Sequence, residues 1–223
     1  MAELHVLRVF CGPGGGGNPL GVFLQGSEVP DARRQDIAAD LGFSETVFVD
    51  DAERGAIRVF TPAAEVAFAG HPVVGTAWLL ARTHGEVEAL LPPAGRVPVR
   101  EAGGLTFAAG RPEWAPDWEF VELGSPDEVE ELEEAPGGRD TVAVWAWIDE
   151  GSGSIRARVF AARYGIAEDE ATGSAALALA GRLRRALDIR QGLSSEIVAK
   201  PQPDGMVEIG GRVELDDVRE YAV

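Results

Sequence analysis

Apolar residues along this chain follow two periods, and the shorter one predicts β-strands. Alternating or short continuous apolar runs predict strands over 3–10, 20–24, 45–51, 56–62, 142–149 and 154–162. Three middle segments follow the same pattern: VEALLP, RVPVREA and LTFAAG. The tail segments SEIVAKP and MVEIGGRVELDDV predict a closing hairpin that turns at Gly210 and Gly211.

The longer, helical period predicts two polar helices. Residues 31–41 have helical spacing, with Asp31 expected as the N-cap and Gly42 as the terminating residue. The acidic stretch 125–136 is expected to form a solvated helix with Pro126 in its first turn.

Two apolar helices, expected at 70–84 and 172–187, belong to an internal repeat. The tripeptide Arg-Val-Phe ends a predicted strand at 58–60 and again at 158–160. An acidic loop follows each copy, and each helix carries a small-residue motif, Gly75-Thr76-Ala77 or Gly173-Ser174-Ala175. Two similar strand–loop–helix units predict two pseudo-equivalent lobes. The alternative is a chance similarity of short strings.

Composition and charge narrow the classes of partner. The 223 residues carry 37 acidic and 20 basic side chains, a formal net charge of −17, which disfavours nucleic acid and anionic membranes as partners. No signal peptide or apolar run long enough to cross a bilayer is visible, so a cytoplasmic location is expected. The single cysteine, Cys11, excludes an internal disulfide and a cysteine-based metal site.

The candidate chemistry is acid/base catalysis without a cofactor or metal. No phosphate-binding loop, dinucleotide fingerprint or nucleophile elbow is present. The starts of the two apolar helices offer free backbone N–H groups that suit an anion such as a small carboxylic acid. Five acidic residues lie near these starts and could shuttle protons if buried: Glu45, Glu65, Glu168, Asp169 and Glu170. Taken singly, each could equally be a capping or solvated side chain, and His71 could cap or pack.

A series of short motifs then occurs in a familiar order. The motifs are Gly17-Asn18-Pro19, Ser44-Glu45-Thr46, Phe60-Thr61-Pro62, Ala69-Gly70-His71-Pro72, and Glu168-Asp169 leading to Thr172-Gly173-Ser174-Ala175. This series resembles the PhzF-like (phenazine biosynthesis-like) family, which is similar in fold to diaminopimelate epimerase. The resemblance implies an α+β fold with two pseudo-symmetric lobes, each a mostly antiparallel sheet wrapped around a central helix. The lobes would span 1–110 and 111–223, and the last strands could return to the first lobe.

The resemblance also implies a function and a site. It implies a cofactor-independent isomerase or epimerase that acts on a small carboxylic acid in the cleft between the lobes, and a possible homodimer. Glu45 would be the principal acid/base group, assisted by His71 and Asp169. The residues expected to bind the substrate are Asn18, Gly70, Gly173 and Ser174.

Three departures from the family pattern stand out: the chain is shorter than most relatives, Glu170 stands where the family has a proline, and the strand after Gln191 begins SSEIVAK instead of with arginine and glycine. The shortening and the altered strand leave other functions open. One alternative is a ligand-binding or regulatory protein that kept the fold and lost turnover. Another is a structural or interaction protein that uses the acidic helix at 126–135 as a docking surface.

Overall fold

The computed structural model describes all residues from Met1 to Val223 and is dominated by β-structure. Fifteen strands form one continuous hydrogen-bonded sheet, and the chain also contains four α-helices. In the first part of the chain the elements are β1 (Ala2–Cys11), β2 (Asn18–Phe23), α1 (Asp31–Leu41), β3 (Glu45–Asp51), β4 (Ala56–Phe60), β5 (Glu65–Val66), α2 (Gly70–Thr83), β6 (Ala89–Leu90), β7 (Val97–Ala102) and β8 (Leu105–Gly110). The remaining elements are β9 (Glu119–Glu122), α3 (Pro126–Glu130), β10 (Val142–Asp149), β11 (Ser154–Ala161), β12 (Ile166–Asp169), α4 (Gly173–Leu183), β13 (Leu187–Gln191), β14 (Ser195–Pro201) and β15 (Val207–Tyr221).

The strand pairings repeat along the chain, as the sequence repeat predicted. β2 pairs in parallel with β3, β3 pairs antiparallel with β4, β4 pairs antiparallel with β5, and α2 follows. The same order of pairings holds for β9, β10, β11, β12 and α4. The registers correspond as well, because Thr46 lies opposite Phe60 and Val142 lies opposite Phe160.

The final strand joins the two ends of the chain. β15 pairs antiparallel with β1 along most of their length, and it also pairs with β8 and β14. The predicted α+β class is therefore confirmed, while the division into lobes at residue 110 stays a prediction. None of the four helices is long and apolar enough to cross a membrane.

The main hydrophobic core unites the two repeat units. A single cluster of 35 buried residues includes Val73 and Leu80 of α2 together with Leu177 and Ala180 of α4. α2 packs closely on the sheet because a β-carbon at Gly75 would lie 2.6 Å from a methyl carbon of Leu20. The shared core holds the two helices against each other, and this contact builds the candidate site.

Two predicted helices end earlier than expected. The acidic helix spans only Pro126–Glu130, since Val129 is its single buried residue and the like charges beyond it repel one another along a helix. α4 ends at Leu183 rather than at 187, because Arg184 adopts the left-handed conformation (φ 53°) and Leu187 begins a buried strand.

Two local predictions were wrong. Pro30, not Asp31, precedes α1, and Asp31 lies inside the helix, where its carboxylate pairs with Arg34 and Arg58. Gly210 and Gly211 do not form a turn but lie within β15.

Because the two glycines have no side chain, aromatic rings can pack directly against the backbone of β15 at these positions. A β-carbon at Gly210 would lie 2.2 Å from the Phe107 ring, and one at Gly211 would lie 2.5 Å from Phe10. The turn of the tail hairpin lies at 202–206, closed by a 2.7 Å hydrogen bond from the Gln202 amide to the Met206 carbonyl.

Candidate functional site

The N-terminal ends of α2 and α4 touch, so both helix starts lie at one place. A β-carbon at Gly70 would lie 2.6 Å from the carbonyl carbon of Gly173, and one at Gly173 would lie 2.9 Å from the α-carbon of Gly70. Only glycine allows this backbone approach. No side chain caps either helix, so the first N–H groups of both are free to meet a ligand.

Glu45 lies beside these helix starts, and one of its carboxylate oxygens accepts no hydrogen bond. It is the first residue of β3, and its side chain is 13% exposed. Its Oε2 atom is buried, has no hydrogen-bond partner and lies 3.4 Å from Nε2 of His71. A buried acceptor without a partner is costly to a folded protein, so this oxygen is available to a ligand or a proton.

His71 is fully enclosed at the second position of α2. Burial lowers the pKa of His71 to about 3, opposed only by a backbone hydrogen bond at Pro19. The imidazole is therefore neutral near pH 7. Its Nδ1 lies 3.4 Å from the side-chain amide nitrogen of Asn18, and its buried Nε2 has no hydrogen-bond partner.

Asp169 belongs to the second repeat unit but joins the same cluster. It is the last residue of β12, and its two oxygens accept hydrogen bonds from Asn18 (2.7 Å) and from the Thr172 hydroxyl (2.6 Å). Gln191 holds the Asp169 backbone carbonyl at 2.8 Å. Burial raises the pKa of Asp169 to about 6, and the hydrogen bonds from Thr172, Asn18 and Ser44 oppose this rise.

Asn18 connects the two repeat units. Its amide nitrogen donates both to Asp169 and to the carbonyl of Ala171 (2.9 Å), while its amide oxygen accepts from the Ser44 hydroxyl. Asn18 is buried and lies at the start of β2. One side chain therefore fixes the distance between Asp169 and the residues near Glu45.

The environments of the two acids separate their protonation states. Burial raises the pKa of Glu45 well above its ordinary value, and the negative charge of Asp169 raises it further. Asp169 accepts two strong hydrogen bonds, whereas the Oε2 atom of Glu45 accepts none. Hydrogen bonds to the charged form favour ionisation. When the pair shares one negative charge, Asp169 carries it and Glu45 carries the proton.

A small cavity of about 30 Å³ opens beside the acids. Glu45 and Asp169 line it together with Thr172 and Ser174 from the start of α4. The other wall is apolar and aromatic, with Val66, Phe68, Pro116, Trp118, Tyr164 and Ile166.

The other candidate acids have structural partners. Glu65 forms a two-point ion pair with Arg58 (2.7 and 2.8 Å), and Glu168 forms the equivalent pair with Arg158 (both 2.7 Å). These pairs occupy matching positions in the repeat and do not line the cavity.

Glu170, the departure from the family pattern, secures the neighbouring loop. It accepts hydrogen bonds from the Leu193 amide and the Ser195 hydroxyl, and Ser195 in turn accepts from the Gly17 amide.

The structure brings together every site residue predicted from the sequence: Glu45, His71, Asp169, Asn18, Gly70, Gly173 and Ser174. Sequence reasoning missed Gln191 and Trp118, and it did not single out Ser44 or Thr172. Ser44 and Thr172 lie inside the quoted motifs, so proximity could have identified them. No local signal marks Gln191 or Trp118, whose places depend on long-range packing.

No group of three His, Cys, Asp or Glu residues is arranged to hold a metal ion.

Comparison with known proteins agrees with this architecture. The sequence matches the family described as phenazine biosynthesis-like protein over residues 7–111 and 114–219. It is 31% identical over 222 residues to a trans-2,3-dihydro-3-hydroxyanthranilate isomerase of Pseudomonas fluorescens, covering 82% of this chain and 80% of the relative. The protein of that name from Pseudomonas aeruginosa is 30% identical, with 89% of this chain and 85% of the relative covered.

Solved structures share the fold at lower sequence identity. A PhzF-family protein from Enterococcus faecalis superposes with a TM-score of 0.81 at 22% identity, covering 100% of this chain and 99% of that one. A probable proline racemase from Agrobacterium radiobacter gives a TM-score of 0.66 at 12% identity, covering 100% and 93%. The chain therefore belongs to the phenazine biosynthesis-like protein family and is an enzyme of the isomerase class.

Proposed function

We propose that Glu45 transfers a proton between two carbon atoms of a small unsaturated carboxylic acid, without a cofactor. The observation that carries this proposal is the unpartnered Oε2 atom of Glu45, which is buried beside a cavity. A carboxylate there is strongly basic, because burial and the charge of Asp169 favour its neutral form. A base whose pKa approaches the working pH is effective in proton transfer.

The reaction balances with one acid/base group. In the ionised form of Glu45, a C–H bond of the substrate breaks, its proton goes to the Glu45 carboxylate and its electron pair delocalises into the conjugated carboxylate of the substrate. The proton of Glu45 then returns to another carbon, a new C–H bond forms and the double bond has moved. The free N–H groups at the starts of α2 and α4 suit the negative charge that develops on the substrate.

Asp169 and His71 are proposed to support Glu45. Asp169 stays ionised through its bonds to Asn18 and Thr172, and its charge increases the proton affinity of Glu45. His71 is neutral, so its ring can donate or accept a hydrogen bond without adding a charge beside the acid. Both residues hold the reacting carboxyl in one state and one orientation.

The repeat offers no second base. Thr141 occupies the position that corresponds to Glu45, because Val142 and Thr46 have matching registers. A threonine hydroxyl is a poor base at neutral pH. The same carboxylate is therefore expected to remove and return the proton, which favours a double-bond shift over racemisation through two bases.

The substrate class follows from the site and from the relatives. The two curated Pseudomonas relatives are named for isomerisation of a hydroxylated, amino-substituted cyclohexadiene carboxylic acid. The uncapped helix starts suit the carboxylate of such a compound, and the apolar cavity wall suits its ring.

Hydrogen exchange tests the proposal directly. The purified enzyme is incubated in heavy water with a panel of unsaturated cyclic acids, including trans-2,3-dihydro-3-hydroxyanthranilate, and deuterium uptake is read by mass spectrometry. Glu45→Gln should lower the exchange rate by at least about 100-fold, the usual contribution of a positioned acid/base group. Glu65→Gln, which removes a carboxylate outside the cavity, is the matched control and should exchange as the wild-type enzyme does. Full exchange in Glu45→Gln would overturn the assignment of the base.

Homodimer formation is also proposed from the family resemblance. Light scattering on the purified protein distinguishes a dimer from a monomer of 23.6 kDa.

A further inference from the structure

Trp118 carries a buried hydrogen-bond donor that the protein itself does not use. Its indole Nε1 atom is buried and has no acceptor. An indole nitrogen can only donate, so no rotation of the ring turns it into an acceptor. Leaving such a donor unpaired destabilises a folded protein, and this cost is relieved when a ligand supplies an acceptor.

The position of Trp118 places its indole ring at the candidate site. Trp118 lies in the segment that joins the two repeat units, one residue before β9, and it lines the same cavity as Glu45 and Asp169. Its ring packs on a small apolar cluster that includes Ala175, in the first turn of α4. The indole therefore sits beside the uncapped N-terminal end of this helix.

The charged residues that line the cavity make the Trp118 indole more important for binding a carboxylate. No arginine or lysine lines the cavity, and two of its lining residues are acidic. A substrate carboxylate would have no cationic side chain to pair with there. The hydroxyls of Thr61 and Thr172 already donate to Ala64 and to Asp169, respectively. The lining side-chain donors that make no hydrogen bond within the protein are the hydroxyls of Ser174 and Tyr164 and the Trp118 indole.

We propose that Trp118 is a specificity-determining residue whose indole N–H donates a hydrogen bond to a carboxylate oxygen of the substrate bound at the start of α4. The inference rests on the proposed function, because it assumes a small carboxylic acid in this cavity. The carboxylate is then held by neutral donors only: the free backbone N–H groups of α4, the Ser174 hydroxyl and the Trp118 indole. A ring that lacks the carboxylate leaves the indole unpaired and is rejected, as sites built around a buried donor reject ligands without the matching acceptor.

Binding of stable aromatic acids tests this proposal without any turnover. Anthranilate and benzoate serve as test ligands, aniline serves as the ligand without a carboxylate, and affinity is measured by isothermal titration calorimetry. Trp118→Phe keeps the aromatic ring and removes the N–H, and it should weaken binding of both acids by about tenfold or more. Trp114→Phe is the matched control, because Trp114 packs on Phe68 without lining the cavity and its loss should leave the affinity unchanged.

Protein stability separates this role from a structural one. Because Trp118→Phe removes an unpaired donor, its melting temperature should equal or exceed that of the wild-type protein. Equal affinity of wild type and Trp118→Phe for both acids would overturn the proposal, and so would a wild-type protein that binds neither acid. The base assignment fails independently: if Glu45→Gln keeps its deuterium exchange while Trp118→Phe loses affinity, the indole contact stands without it.

Discussion

The Oε2 atom of Glu45 and the Nε2 atom of His71 lie 3.4 Å apart, and neither has a hydrogen-bond partner within the protein. Both atoms are buried, and the two residues come from different elements, the start of β3 and the first turn of α2. Asn18 and Asp169 complete the cluster on the other side of His71. A proton or a ligand atom is thus the missing member of an otherwise complete hydrogen-bond network.

His71 should remain neutral far below the pH at which a free imidazole gains a proton. Burial lowers the pKa of His71 to about 3 from the ordinary 6.5. Its ring nitrogen chemical shifts should therefore stay constant from pH 8 down to pH 5, as read by nitrogen-15 NMR. Free histidine in the same sample is the control and should titrate near its ordinary pKa. A His71 midpoint near pH 6.5 would show that the imidazole is solvated.

Asp169→Asn should gain stability relative to the wild-type protein as the pH rises. Burial raises the pKa of Asp169 to about 6 from the ordinary 3.8, so ionisation of this carboxyl costs more in the folded state than in the unfolded state. The wild-type protein has the full contribution of the neutral acid below pH 4 and loses it as the pH rises through 6.

The asparagine variant does not ionise and has no such loss. Its free energy of unfolding, minus that of wild type, should therefore increase by roughly 1–3 kcal/mol between pH 4 and 7. Urea unfolding at each pH unit measures this difference. A constant difference across that range would mean that the carboxyl has its ordinary pKa in the folded protein.

Gly173→Ala should separate the two helix starts. Its new methyl group would lie 2.9 Å from the α-carbon of Gly70 and 3.0 Å from the amide nitrogen of His71, and neither backbone atom can turn aside. We expect a loss of about 1–3 kcal/mol in unfolding free energy, as in other overpacked cores. We also expect at least a tenfold loss of deuterium exchange, since His71 moves relative to Asp169.

A second glycine provides the control for this variant. Gly85 has a φ of 96° and no atom near its missing β-carbon, so Gly85→Ala meets backbone strain without a clash. It should cost about 1 kcal/mol in stability and leave exchange intact. Equal exchange in Gly173→Ala and Gly85→Ala would show that the helix contact has no role in the reaction.

Much of the site could be predicted because its residues occur in local motifs. Glu45, His71 and Asp169 each lie at a boundary between a loop and a regular element, where the sequence pattern changes period. The repeated Arg-Val-Phe strands at 58–60 and 158–160 likewise predicted the repeated pairings, and in each copy the arginine binds a glutamate of the following short strand, β5 or β12.

What could not be predicted depends on contacts between distant residues. Gly210 and Gly211 have the composition of a turn, but Phe107 and Phe10 approach them from other strands, and this packing keeps the backbone extended. Trp118 and Gln191 have no distinctive neighbours in the sequence. Gln191 reaches Asp169 because β13 pairs with β11, and Trp118 reaches the cavity from the segment before β9; both placements exist only in the folded chain.

The pairing of β1 with β15 has a consequence for the order in which the chain can fold. Residues 2–11 pair with 212–221, so β1 cannot complete its hydrogen bonds until the much later strand β15 has been synthesised. Such distant pairings raise the contact order and slow folding, because the entropy of closing a long loop is lost before the strand pairing can stabilise the chain. Until β15 is available, β1 pairs only with β2 and its other edge is open. The charged side chains of Glu3 and Arg8 on this strand disfavour pairing of that edge with another chain. Completion of this sheet is thus expected to follow the synthesis of β15, long after β1 has been made.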